Sequence, residues 1–103
     1  MDFDNVSVHR RAETLHEGRV SRRSVITADG EMKSLGLMLA GTYRLSTQDA
    51  ETLEITAGRC RVKLAEQQTW SEYGPGERVR VPAHSHFEIE VDELLDFVCH
   101  YGD

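Results

Sequence analysis

From Arg19 onward, apolar residues recur at every second position, not at every third or fourth. Val79 and Val81 alternate with Arg78 and Arg80. Phe87, Ile89 and Val91 alternate with His86, Glu88 and Glu90, and Cys60, Val62 and Leu64 with Arg59, Arg61 and Lys63. A period of two is that of a strand with one buried and one wet face. Leu35, Leu37 and Leu39 form a further apolar row, set against Gly36, Met38 and Ala40. That stretch has no polar face and predicts a central strand covered on both sides. Turn signals at Asp29-Gly30, Ala40-Gly41, Ala57-Gly58 and Gly74-Pro75-Gly76 separate these runs. Short strands at this spacing mean a sandwich or a barrel. Residues 11–17 are compatible with a short helical turn. Residues 1–17 are expected to be a flexible or loosely attached segment, ahead of a single β domain over residues 18–103.

A chain of 103 residues has room for one modest core. A domain this small with open strand edges favours pairing with a second copy. Twelve basic and eighteen acidic residues give a net charge of −6. That balance speaks against nucleic acid or an anionic membrane surface as partner, since both need a positive footprint. It leaves room for a small phosphate ligand held by a few local donors. Cys60 and Cys99 sit within apolar patterns and read as reduced core thiols of a cytoplasmic protein. Residues 1–18 contain no apolar run and do not read as a signal peptide, and no stretch approaches the roughly 20 apolar residues of a membrane helix.

Two segments could carry chemistry. In the first, Gly76 is followed after five residues by Pro82, then Ala83-His84-Ser85-His86. A tight turn, a strand and a terminating proline match the opening of the second cupin signature, which speaks for the fold and little for function. Metal-binding cupins draw most of their ligands from the first signature, and the corresponding Leu35 to Thr47 holds no histidine. His84 and His86 alone fall short of the three or four convergent ligands a metal needs. They read as polar residues of a barrel rim, which is also where a barrel keeps its ligand site.

The second segment is Gly41-Thr42-Tyr43-Arg44-Leu45-Ser46-Thr47, followed by Glu51. Here an apolar strand runs directly into polar side chains. Ser46, Thr47 and nearby backbone N–H groups suit phosphate oxygens, and Arg44 adds a guanidinium of matching geometry. A plain hairpin whose hydroxyls satisfy the turn accounts for the same residues. The alternating arginines at 59, 61, 78 and 80 read as a solvated sheet face, and no phosphate-binding glycine loop is present.

Several segments, in order, resemble the broad-specificity pyrimidine/purine nucleoside phosphorylases. They are Glu17-Gly18-Arg19-Val20, Ser34-Leu35-Gly36-Leu37-Met38, Gly41-Thr42-Tyr43, Ser46-Thr47 and Glu51-x-Leu53 ahead of Gly58. Next come Trp70-x-x-Tyr73-x-x-Gly76, Val81-Pro82-Ala83-His84-Ser85-His86-Phe87 and Cys99-His100-Tyr101. The resemblance runs from about Glu17 to Tyr101. It implies a small cupin-like β-barrel of jelly-roll type that carries no metal or other cofactor. It implies cleavage of purine and pyrimidine nucleosides with inorganic phosphate as co-substrate, giving free base and pentose 1-phosphate, by a homodimer. Leu45 stands where the family usually has an aromatic residue and Leu53 where it has Met, and residues 22–33 are more charged than expected.

Phosphorolysis develops positive charge on the sugar ring, so the site must grip ribose and phosphate by position and electrostatics. Within that chemistry Glu51 is the candidate for the ribose hydroxyls and the cationic ring. Ser46, Thr47 and Ser85 are candidates for phosphate, with Arg44 beside them. Tyr43 and Phe87 are candidates for lining the base or sugar pocket. His84 or His86 is the candidate proton donor to the departing base. Two other readings share the fold: a non-catalytic cupin that binds a nucleoside or sugar, and a metal-dependent cupin enzyme.

Overall fold

The computed structural model describes residues 2–102. Nine strands run in chain order: β1 (Ser7–Val8), β2 (Glu13–Leu15), β3 (Val20–Ile26), β4 (Met32–Ser46), β5 (Glu51–Ala57), β6 (Cys60–Leu64), β7 (Ser71–Tyr73), β8 (Arg78–Val81) and β9 (His86–Tyr101). There is no helix among the described residues. Residues 11–17 make no helical turn. Glu13–Leu15 pairs with β3 as the arm of a hairpin, and His16, Glu17 and Gly18 turn the chain with φ of 50°, 58° and 83°. The segment expected to be loosely attached therefore carries two short ladders, β1 and β2, both on β3.

All pairing is antiparallel, and β4 and β9 organise it. They pair from Lys33↔His100 to Ser46↔His86, with one irregularity between Leu39 and Gly41. On one side of that irregularity the ribbon is flanked by β3 and β5, and β8 extends the sheet beyond β5. On the other side, the first half of β9 pairs with β6, which carries β7. The result is a jelly-roll in which two sheets share two long strands. The barrel expected from the sequence is not closed by hydrogen bonds, since β7 and β8 each pair on one side only among the described residues.

Cross-strand partners share a face, so burial identifies the inside. Val20, Met38, Leu53, Ile55, Val62, Val79, Val81, Phe87, Ile89, Leu95 and Phe97 form the core. Val79, Val81, Phe87, Ile89 and Val91 are buried as their alternation predicts. The leucine row of β4 departs from expectation. Ser34, Gly36 and Met38 face inward, while Leu35, Leu37 and Leu39 are 41%, 42% and 48% exposed. The strand is central in its sheet, as expected, but two layers cover only one face of it. Leu39 lies opposite Leu94, itself 46% exposed, so an apolar stripe crosses from β4 to β9 on the outside.

The turn between β5 and β6 tests how tightly this framework is packed. Gly58 has φ of 89°, and a Cβ there would lie 2.0 Å from the Leu94 carbonyl oxygen. Gly30 has the same φ with nothing within 4 Å. Gly58→Ala is expected to cost about 2–4 kcal/mol, lowering the melting temperature by roughly 10 °C or more, and Gly30→Ala only about 1 kcal/mol. Thermal melts of the two variants side by side check the contrast.

Candidate functional site

Where the sheets part at one end of the jelly-roll, inward positions cease to be apolar. Glu51 opens β5 and is buried at 8% exposure, opposite Tyr101. Cys99 and Tyr101 are the inward positions near the end of β9, and Ser34 faces inward from β4 opposite Cys99. Arg22 comes from β3, two residues beyond the inward-facing Val20. Alternation along four neighbouring strands thus gathers a guanidinium, a carboxylate, a thiol, a phenol and a hydroxyl at one mouth.

These groups satisfy one another. The Cys99 thiol is placed to donate to Glu51 Oε1 at 3.3 Å, and the hydroxyls of Ser34 and Tyr101 share a hydrogen bond of 2.7 Å. Arg22 donates from Nε to Glu13 Oε1 at 3.0 Å, with Nη2 at the same distance from that oxygen. Burial raises the Glu51 carboxyl above the usual carboxylate range, against the opposing pull of the Cys99 hydrogen bond and the Arg22 charge. Burial and the neighbouring Glu51 push the Cys99 thiol up to about 12. Burial likewise lifts the Tyr101 phenol to about 12, so both remain protonated donors at neutral pH.

The mouth opens into two clefts that share Arg22, Ser46 and Glu51 as a common wall. One, of about 310 Å³, is mainly apolar, with Leu15, Val20, Met38, Leu45, Phe87 and Phe97, and it admits Glu13, His16 and Arg44 at its edge. The other, of about 390 Å³, is polar and runs past Thr47, Gln48, Asp49 and Tyr101. An apolar slot beside a charged, hydrogen-bonding one suits a ligand with a flat body and an anionic partner.

The structure therefore brings together Arg44, Ser46, Thr47, Glu51 and Phe87 of the residues singled out in the sequence. Thr47 contributes differently from expectation. Its hydroxyl donates to the Pro82 carbonyl at 2.7 Å and accepts from the Ser85 backbone N–H at 3.0 Å. Ser85 also accepts from the Thr47 backbone N–H at 2.9 Å, so the pair ties the loop after β4 to the loop before β9. Tyr43 is buried, donating to the Leu39 carbonyl at 2.8 Å, and supports the His16 ring, whose centroid is 5.1 Å away. His84 and His86 do not line either cleft. His84 faces a separate depression with Arg80 and Pro82, and His86 pairs with Ser46 in the ladder. Among the described residues no three His, Cys, Asp or Glu side chains group as a metal site.

Among the residues of the mouth that escaped the reading of the sequence are Glu13, His16, Arg22 and Tyr101. The signal for Arg22 was present, since it stands two residues after Val20 on an inward-facing row. The other three depend on the hairpin and on the β5–β9 register.

A jelly-roll with a mixed apolar and charged cleft at its mouth has the cupin-like fold, and the comparisons agree on it. The Drosophila melanogaster CENP-C cupin domain superposes with a TM-score of 0.68 at 11% identity, over 95% of this chain and 71% of that one. A protein of unknown function from Acinetobacter sp. ADP1 superposes with a TM-score of 0.94 at 35% identity, over 97% of both chains. Residues 10–101 match the model of the pyrimidine/purine nucleoside phosphorylase family. The curated pyrimidine/purine nucleoside phosphorylase of Cupriavidus pinatubonensis is 44% identical over 97% of this chain and 95% of its own. The chain belongs to the pyrimidine/purine nucleoside phosphorylase family.

The raised Glu51 carboxyl has a consequence for stability. Folding favours its protonated form, so the folded state is penalised as pH rises through the folded value, and the penalty is absent below the unfolded value near pH 4. Glu51→Gln removes the charge and keeps the size. It is expected to raise the melting temperature at pH 8 by about 2 °C or more, with the gain vanishing near pH 4. Melting curves across that range check it.

Proposed function

We propose that the cleft between Arg22 and Glu51 carries out phosphorolysis of purine and pyrimidine nucleosides, which makes the protein a pentosyltransferase. The observation that carries the reading is the pair of opposite charges facing inward at one mouth beside an apolar slot. Family membership supports the same reaction.

In this reading the nucleoside lies in the slot walled by Leu45, Phe87 and Phe97. Phosphate takes the polar side on Arg22 and Ser46. Glu13 Oε1 sits on the Nε and Nη2 edge of the guanidinium, the edge that phosphate oxygens would take in its place. As the C1′–N bond breaks, the base leaves with the electron pair and a proton, and a phosphate oxygen bonds to C1′. Glu51, which lines both clefts with the arginine, stabilises the positive charge that gathers on the ring. His16, the imidazole of the cleft edge, takes the proton-donor role considered for His84 and His86. A grip on sugar and phosphate leaves the base loosely specified, which suits a broad substrate range. The reaction uses inorganic phosphate as co-substrate and no metal, and the two buried free thiols accord with a cytoplasmic setting.

Uridine and a purine nucleoside should each release base only when phosphate is present, with pentose 1-phosphate as co-product and no loss on adding chelator. Glu51→Gln is expected to lower kcat/KM by about 10²-fold or more. Arg22→Gln is expected to raise the phosphate KM by about 10-fold or more. Release of base as free ribose without phosphate, or binding of nucleoside with no release by folded protein, would overturn the assignment.

We also propose that two copies pair through the outer stripe of Leu35, Leu37, Leu39 and Leu94, because a solvated apolar row of this length is the mark of a contact surface. Sedimentation at micromolar concentration should give twice the chain mass of 11.7 kDa, and Leu37→Asp should return the monomer. A wild-type monomer at that concentration would refute the pairing.

A further inference from the structure

Glu51 is the one carboxylate that both clefts share, and its orientation depends on what holds it. Its side-chain hydrogen-bond partner is the Cys99 thiol, at 3.3 Å from Oε1. Cys99 is fully buried at 0% exposure, on the strand next to Glu51, one inward position before Tyr101. A buried carboxylate is costly without donors, and the thiol, though a weak donor, is placed to answer that need. The remaining groups facing Glu51 are Arg22 from β3, Tyr101 from β9 and Asp49 from the preceding loop, with Glu13, His16 and Arg44 further out along the cleft. Arg22 holds Glu13 through Nε and Nη2, and Tyr101 is bonded to Ser34 and to the Cys99 thiol. The thiol is the side-chain donor within hydrogen-bond distance of the carboxylate.

We propose that Cys99 is a positioning residue for Glu51: its S–H hydrogen bond fixes one carboxylate oxygen and leaves the other to the sugar. The role rests on the phosphorolysis reading above. It differs from core filling in one respect, since an apolar residue of the same size would pack equally well and hold nothing. The thiol also favours the ionised carboxylate against burial. Losing it raises the Glu51 carboxyl further, so a reaction that needs Glu51 ionised loses most at low pH.

Two measurements test this, one of them independent of turnover. Infrared spectra of the wild-type protein should show an S–H stretching band from Cys99 below that of Cys60, and Glu51→Ala should move the Cys99 band upward and leave the other in place. In kinetics, Cys99→Ala should displace the acid limb of kcat/KM for uridine phosphorolysis to higher pH. The loss is expected to be largest at the acid end of the profile and to vanish as pH rises. Cys99→Ser retains a donor and should restore the limb. If Cys99→Ala fails to fold, the infrared result and the serine variant decide. A Cys99 band indifferent to Glu51→Ala, or an alanine variant with the wild-type acid limb, would overturn the positioning role alone. A folded wild-type protein that releases no base would overturn the phosphorolysis reading and the positioning role with it.

Discussion

The antiparallel ribbon of β4 and β9 is the constraint on which the molecule depends. Both strands run through both sheets, and β3, β5 and β6 hang from them. A strand of 15 or 16 residues is too long for one flat layer of a small domain, and right-handed twist makes it coil. The irregularity between Leu39 and Gly41 is where the ribbon turns from one sheet to the other. Everything inward of that bend is core, and the far ends of the ribbon become the walls of the cleft.

The chemistry follows from the same geometry. An alternating strand cannot decide at which level its inward side chains stop being apolar; the divergence of the sheets decides it. At the mouth, inward positions on β3, β4, β5 and β9 find no opposing layer, so polar groups are tolerated there if they bond to one another. They do: no buried side-chain nitrogen or oxygen among the described residues lacks a partner. A carboxylate held in such a place pays in stability for a field that water would otherwise screen, which is the usual compromise of a binding site.

Much of this was legible in the chain. Val79 and Val81, or Phe87, Ile89 and Val91, show their faces by alternation alone, and Glu51 and Ser46 stand where an apolar run gives way to polar residues. Less was visible where distant segments decide. Thr47 looked like a phosphate ligand because its hydroxyl was unclaimed in sequence, yet Pro82 and Ser85 lie within reach only after folding. His84 and His86 looked like site residues because the loop before β9 is near the rim, but neither is among the residues that line the clefts. Glu13 and His16 come from a hairpin too short and too polar to show a period. Leu35, Leu37 and Leu39 were correctly read as central, but the period of a strand cannot say which covering layer belongs to the same chain.

The ribbon also dictates an order of events. Residues 32–46, 51–57 and 60–64 each pair with residues 86–101 as well as with a nearer strand, so much native pairing joins segments far apart in the chain. Such contacts must meet the entropy of closing long loops before they contribute anything. During synthesis β3 and β4, β5 and β8, and β6 and β7 can pair before β9 emerges, but the ladders that join these pieces into one fold wait for it. Joining the pieces is thus a late step, and the inward residues of β4, β5 and β6 are the surfaces that wait exposed for it.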